Sequence, residues 1–86
     1  MMPRVSLFTR AGCHLCDEAL VVLERLRALS IFELEIIDLD NEASQEKLRA
    51  YSNEVPVIEL DGAKVMKFKV DELRLLHLIE NAGRAT

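Results

Sequence analysis

The sequence predicts an α/β domain over residues 1–86, with elements in the order β-α-β-α-β-β-α. Three observations carry this prediction. Strand-like runs alternate with segments whose apolar residues recur at helical spacing. The early strands are joined by helical crossovers, whereas Asp61-Gly62 joins the last two strand-like runs directly. Crossovers followed by a hairpin predict a mixed four-stranded sheet with helices on both faces.

The first half of the chain carries two predicted strands and two predicted helices. Val5-Ser6-Leu7-Phe8-Thr9 is a β-type run within a strand over 4–9, and apolar positions at helical spacing predict a helix over 14–29. In the next strand, predicted over 32–38, apolar and charged residues alternate, which indicates an edge strand with one buried face formed by Phe32, Leu34 and Ile36. A second helix is predicted over 42–51.

The second half is predicted to hold a hairpin and a final helix. Asp-Gly tolerates the positive φ angles of a tight turn, so strands over 56–60 and 64–68 should be antiparallel. The last helix is predicted over 71–82. Asp71 has a side-chain oxygen that can cap this helix, and Val70 and Leu75 are spaced to form a hydrophobic staple across its first turn.

The only two cysteines lie in Cys13-His14-Leu15-Cys16, where the first strand passes into the first helix. Unpaired N–H groups and the helix dipole favour an anion at a helix N-terminus. Such surroundings lower a cysteine pKa from about 8.5 to roughly 3.5–7.5, and the thiolate is the form that attacks disulfides. The position therefore favours a reactive dithiol over two cysteines buried only for packing.

Composition excludes several classes of protein. Hydrophobic residues make up 50% and charged residues 30% of the 86 positions, which suits one small globular domain. Eleven Lys and Arg against 15 Asp and Glu give a net charge of −4, so we expect no nucleic-acid or membrane partner. No apolar run is long enough to span a bilayer and no secretory signal is recognisable, so we expect a cytoplasmic, monomeric protein. In a reducing compartment a lone Cys-x-x-Cys indicates redox or metal chemistry.

The motif Val5-Ser6-Leu7-Phe8-Thr9-Arg10-Ala11-Gly12-Cys13-His14-Leu15-Cys16, followed later by Val55-Pro56-Val57-Ile58, resembles the glutaredoxin-like branch of the thioredoxin superfamily. The resemblance implies a thioredoxin-like fold and thiol-disulfide oxidoreductase activity on protein or glutathione-mixed disulfides. It implies that Cys13 is the nucleophile and Cys16 the resolving cysteine. It also implies that Pro56 is cis and faces the dithiol, leaving the backbone of Val55 to pair with an extended peptide or with glutathione.

Two charged or titratable residues near the dithiol complete the predicted substrate-binding set. Arg10 stands where many glutaredoxins carry a lysine that binds glutathione and stabilises the thiolate, and arginine supplies both a charge and a fork for a carboxylate. His14, when protonated, would favour the Cys13 thiolate. We expect no bound cofactor and no metal, with glutathione or a reductase as electron donor.

The sequence also departs from the glutaredoxin pattern. His14 and Leu15 replace the usual proline and tyrosine between the cysteines, and Val65-Met66-Lys67-Phe68 stands where glutaredoxins usually carry Gly-Gly. Glutathione dependence is therefore left open.

Two other functions for the cysteine pair stay open. A metal or iron–sulfur module would need ligands from a second chain or from external thiols, because the sequence has no second Cys-x-x-Cys and no His-x₃₋₅-His. A redox-sensing interaction domain would use the same accessible thiolate.

Overall fold

A computed structural model describes residues 2–84 of the chain. Within them the predicted elements follow in the predicted order: β1 Arg4–Thr9, α1 His14–Arg27, β2 Glu33–Asp38, α2 Gln45–Tyr51, β3 Val57–Leu60, β4 Ala63–Lys67 and α3 Glu72–Arg84. The strands form one sheet in the order β2-β1-β3-β4. β1 pairs parallel with β2 and antiparallel with β3, and β3 pairs antiparallel with β4. The predicted mixed sheet is thereby confirmed.

The hairpin between β3 and β4 turns at the predicted dipeptide. Asp61 has φ 50° and Gly62 has φ 88°, the left-handed conformations that a tight two-residue turn requires. The Asp61 carboxylate also accepts a hydrogen bond from the backbone N–H of Arg4 at 2.9 Å. The turn is therefore fastened to the start of the central strand β1.

One face of the sheet carries the larger apolar core, where α1 and α3 pack together against β1 and β3. Its buried residues come from both helices, from the strands and from the segment before β2: Val5, Leu7, Ala19, Leu23, Leu26, Phe32, Ile58, Met66, Leu75 and Ile79. Residues spaced three or four apart along α1 thus form the stripe that helical spacing predicts.

The opposite face carries α2 and a smaller core made of Phe8, Leu39, Tyr51 and Val57. The rings of Phe8 and Tyr51 meet edge to face, with centroids 5.2 Å apart. Because neighbouring side chains of a strand point to opposite faces, Leu7 enters the first core and Phe8 the second. Helices on both faces of the sheet are confirmed.

The second helix begins later than predicted, at Gln45 instead of residue 42. Ser44 is its N-cap, and the Ser44 hydroxyl accepts a hydrogen bond from the Lys47 N–H at 3.2 Å. Before it, the Asp38 carboxylate accepts hydrogen bonds from the Asp40 N–H at 2.9 Å and the Asn41 amide at 2.8 Å. These local bonds hold the preceding residues in a turn that competes with the helix.

Two predictions on the strands are wrong in detail. Ile36 was expected on a buried face but is 47% exposed, because β2 lies at the sheet edge and is only partly covered. Phe68 was expected in the last strand, but β4 ends at Lys67 and Phe68 turns out of the sheet with φ 66°.

Smaller differences concern the ends of the other elements. The first helix ends at Arg27, β2 starts at Glu33 and β3 starts at Val57, each within two residues of the prediction. The final helix is capped as predicted, since the Asp71 carboxylate accepts a hydrogen bond from the Arg74 N–H at 3.1 Å. It continues to Arg84, beyond the predicted end at residue 82.

Within residues 2–84, no helix is both long enough and apolar enough to cross a bilayer.

We predict that Leu23→Ala lowers the free energy of unfolding by about 2–5 kcal/mol, because the fully buried side chain leaves a cavity under α1. Val21→Ala, on the same helix but 55% exposed, is the matched control and should change the free energy by less than about 0.5 kcal/mol. Urea denaturation followed by circular dichroism measures both. Equal losses in the two variants would contradict the assigned core.

Candidate active site

Three loops meet at one end of the sheet, where β1 and β4 finish and β3 begins. Phe8 pairs with Val57, and Val57 pairs with Lys67. The end of β1, the start of β3 and the end of β4 therefore lie side by side. This end of the sheet consequently carries the β1–α1 loop with Cys13, the segment before β3 with Pro56, and the β4–α3 link with Phe68.

The two cysteines lie at the start of α1 and form a disulfide, with Cα atoms 5.2 Å apart. Cys13 is the N-cap residue of α1, and its sulfur accepts a hydrogen bond from the backbone N–H of Cys16 at 3.1 Å. Gly12, with φ 76°, provides the left-handed turn that brings the chain into the helix. In the reduced protein the Cys13 thiolate would face the helix N-terminus, where N–H groups and the helix dipole stabilise an anion.

The two cysteines differ in their exposure to solvent. Cys16 is 4% exposed and belongs to the first turn of α1, whereas Cys13 is half-buried. An incoming disulfide can therefore reach Cys13 more easily than Cys16, and the roles of nucleophile and resolving cysteine stay a prediction.

Val55 and Pro56 lie beside the dithiol loop, and the peptide bond between them is cis, as the resemblance implied. Pro56 is fully buried. Strand pairing of β3 begins only at Val57, so the half-buried Val55 lies beyond the ladder. The backbone of Val55 therefore lies beyond the strand ladder, at the end of the sheet that also carries the dithiol loop.

Arg10 lies in the loop before Cys13, but its guanidinium fork already holds a carboxylate. Its Nε and Nη2 donate to the two carboxylate oxygens of Asp40 at 3.2 and 2.9 Å, and its Nη1 donates to the carbonyl of Ser52 at 3.3 Å. Arg10 therefore connects the dithiol loop to Asp40 before α2 and to Ser52 after it. His14, the first residue of α1, is exposed at the mouth of the site.

Glu54 fastens the segment before Pro56 to β4. Its carboxylate accepts hydrogen bonds from the ammonium groups of Lys64 at 3.1 Å and Lys67 at 3.2 Å. These bonds, together with the positive charges, hold the pKa of Glu54 below its ordinary value. The backbone N–H of Phe68 donates to the carbonyls of Pro56 at 2.8 Å and Glu54 at 3.3 Å. These bonds connect the segment before β3 to β4 and to the β4–α3 link.

A buried carboxylate, Glu59, anchors α2 on the second face of the sheet. Glu59 is 5% exposed and accepts hydrogen bonds from the Tyr51 hydroxyl at 2.8 Å and from the Lys47 ammonium. The hydrogen bond to Glu59 raises the pKa of Lys47, and burial followed by the same carboxylate raises the pKa of Tyr51. Both partners satisfy a charge whose burial would otherwise be costly.

Sequence reasoning missed three residues of this arrangement: Asp40, Glu54 and Glu59. Each acts through a partner far away in sequence, such as Arg10 for Asp40 and Lys64 for Glu54. Only Glu59 carried a local signal, because it stands between apolar residues in a predicted strand.

Another opening near the sheet, larger than the one beside α1, does not belong to the dithiol. A groove of about 700 Å³ lies over the part of the α2 face that α2 leaves uncovered, between residues of β1, β2 and the hairpin. Its lining includes Arg4, Glu35, Glu59 and Asp61 but no residue of the β1–α1 loop. We place the candidate active site at the dithiol, because its sulfur atoms can exchange with a disulfide, whereas the volume of the groove does not indicate a reaction.

Comparison with known proteins places this arrangement in a family. Residues 4–80 match the model of the glutaredoxin-like domain (DUF836). A curated glutaredoxin-like protein of Dictyostelium discoideum is 31% identical over 84 residues, covering 93% of this chain and 78% of its own. The solution structure of a Nitrosomonas europaea protein superposes with a TM-score of 0.78 at 27% identity, covering 92% and 93% of the two chains. A mutant thioredoxin of Halobacterium salinarum gives 0.69 at 28% identity, covering 92% and 73%.

We predict that the phenol of Tyr51 titrates above its ordinary pKa. The protein has one tyrosine and no tryptophan, so tyrosinate absorbance reports this side chain alone. The midpoint in the folded protein should lie above that in the urea-unfolded chain, and Glu59→Gln should lower it by removing the facing charge. The pKa of Tyr51 is higher in the folded protein than in the unfolded chain. The contribution of the protonated phenol to the free energy of unfolding is therefore fully present below the unfolded-state pKa and is lost as pH rises through the folded-state pKa.

Glu35→Gln is the matched control for that titration, because Glu35 lies on the same sheet face but bonds to Ser6 and not to Tyr51. It should leave the midpoint nearer to that of the unmodified protein than Glu59→Gln does. Coinciding titrations of the folded and unfolded chains would contradict the buried Tyr51–Glu59 contact.

Proposed function

We propose that this chain, which belongs to the family of glutaredoxin-like domains, is a small dithiol thiol-disulfide oxidoreductase that reduces protein or glutathione-mixed disulfides. The observation that carries the proposal is the asymmetry of the pair at the start of α1. Cys13 is the accessible sulfur at the helix N-terminus, and the buried Cys16 lies within bonding distance of it. An exposed Cys13 can attack a substrate disulfide, and a neighbouring Cys16 can then attack the mixed disulfide that forms at Cys13.

The reaction consists of two exchanges. The Cys13 thiolate attacks one sulfur of the substrate disulfide, forms a mixed disulfide and releases the other substrate sulfur as a thiolate. Cys16, after losing its proton, attacks the Cys13 sulfur, closes the Cys13–Cys16 disulfide and releases the second substrate thiolate. The protein dithiol gives up two electrons, and the two substrate sulfurs take them up. Two molecules of glutathione or the dithiol of a reductase would restore the reduced protein.

Val55 supports binding of an extended substrate in this proposal. Its backbone lies beyond the β3 ladder and beside Pro56, so a substrate chain can add to it by strand pairing. Arg10 contributes less directly, since its fork holds Asp40. We assign it the positioning of the dithiol loop through its bonds to Asp40 and Ser52.

We predict that Cys13→Ser reduces disulfide-reducing activity to background, because the attacking sulfur is gone. Mixed with glutathione disulfide in the absence of free glutathione, Cys16→Ser should form a stable mixed disulfide at Cys13, because no second thiol of the chain resolves it. Intact-protein mass spectrometry after mixing each variant with glutathione disulfide measures the adduct. The two variants make the same chemical change and therefore control for each other.

The opposite pattern, with an adduct only in Cys13→Ser, would reverse the two roles. Full activity of both variants would rule out the dithiol mechanism. Metal analysis and a visible spectrum of anaerobically purified protein test the metal-binding alternative, which requires a stoichiometric metal or cluster. A sensor without reductase activity would form the Cys16→Ser adduct but would show no turnover with either electron donor in the unmodified protein.

A further inference from the structure

An apolar groove runs alongside the dithiol. It measures about 190 Å³ and lies between the first half of α1 and the link from β4 to α3. Its lining residues are Leu15, Glu18, Ala19, Val22, Phe68, Lys69 and Val70. Leu15 stands between the two cysteines in the sequence, so the groove begins in the first turn of α1, next to the dithiol motif, although neither cysteine lines it.

Two large apolar side chains of this groove face solvent. Leu15 is 44% and Phe68 is 45% exposed. Exposed apolar side chains are ordinary when scattered singly, but a pair that lines one concave surface indicates a binding site. The groove also has one carboxylate and one ammonium at its rim, Glu18 and Lys69, so its charge favours neither sign of ligand.

Phe68 is held in this position at a cost. Its φ of 66° is a left-handed conformation that a bulky residue rarely adopts, and such strained residues cluster at functional sites. The hydrogen bonds of its N–H to the carbonyls of Pro56 and Glu54 fix the backbone. The Lys67 ammonium lies 5.3 Å from the ring centroid and supports the ring. A glycine or asparagine would adopt this backbone more easily, so the aromatic ring itself needs an explanation.

The occupant of the groove follows from the reaction. Leu15 belongs to the dithiol motif and the Phe68 N–H is bonded to the carbonyl of Pro56, so a residue that flanks a substrate sulfur bonded to Cys13 can reach both side chains. Resting on the proposed function, we propose that this groove receives a large aliphatic or aromatic side chain next to the substrate cysteine, and that the substrate is therefore a protein disulfide. Glutathione is less suited to the groove, because it has few apolar atoms to bury against Leu15 and Phe68, and its charged groups can meet only Glu18 and Lys69 at the rim.

The test uses the fully reduced protein in a single turnover, so that its own dithiol supplies the two electrons. The substrates are two symmetrical peptide disulfides, identical except that leucine or serine precedes the cysteine, and glutathione disulfide. Rapid acid quench followed by mass spectrometry gives the second-order rate constant for each. We expect the leucine peptide to react about tenfold faster than the serine peptide, the value of a largely buried leucine side chain. It should also react faster than glutathione disulfide.

Phe68→Asn removes the ring and keeps a residue that tolerates positive φ, so the backbone should be retained. The leucine-to-serine rate ratio should fall towards one. Leu29→Asn removes an apolar side chain that is 65% exposed just beyond the C-terminal end of α1 and should keep the ratio. Leu15→Gln gives a second reading of the groove should Phe68→Asn not fold.

Three outcomes separate this inference from the function on which it rests. A ratio near one in the unmodified protein, or a ratio unchanged in both groove variants, would overturn the apolar groove while leaving the oxidoreductase intact. A faster reaction with glutathione disulfide than with the leucine peptide would overturn the choice of substrate class. No reaction with any disulfide, in the unmodified protein as in Cys13→Ser, would instead reject the proposed function.

Discussion

The register between β1 and β3 determines where everything else in this protein lies. With Leu7 opposite Ile58, both side chains enter the core beneath α1 and α3, and with Phe8 opposite Val57, both enter the core beneath α2. A shift of one residue would exchange these two sets and expose each to the wrong helices. The same register brings the end of β1 next to the start of β3. The register that fills both cores thus also places the dithiol loop and Pro56 at the same end of the sheet.

The two faces of the sheet are stabilised in different ways. Beneath α1 and α3 the core is apolar, whereas the seven-residue α2 is too short to be stable by itself and relies on Tyr51, Leu48 and the polar bonds to Glu59. The residue after α2, Ser52, accepts a hydrogen bond from Arg10 in the dithiol loop. A buried carboxylate on one face of the sheet is thus connected through α2 to the loop that carries Cys13.

Local chemistry made most of the fold predictable, and contacts distant in sequence account for what was missed. Asp61-Gly62, the Asp71 cap and the helical spacing of α1 each act within a few residues, so a single sequence reveals them. The motif around Cys13, taken together with Val55-Pro56, indicated the site through its resemblance to the glutaredoxin-like branch. The partnership of Arg10 with Asp40 joins residues 30 positions apart, and that of Glu54 with Lys67 joins residues 13 apart. Only the folded chain reveals such pairs, and with them the reason that Arg10 is not a free anion site.

Phe68 shows how a fold can keep a backbone shape while changing the surface it presents. Gly-Gly, which glutaredoxins usually carry in this region, adopts left-handed conformations without steric cost and leaves the backbone bare. Here an aromatic residue takes such a conformation, at a cost of about 1–3 kcal/mol, and the bonds to Pro56 and Glu54 and the contact with Lys67 hold it there. The backbone still turns towards α3, but the side chain now covers what glycine would expose. The turn into α3 is thereby kept, and the exposed ring of Phe68 makes the surface that it shares with Leu15 apolar.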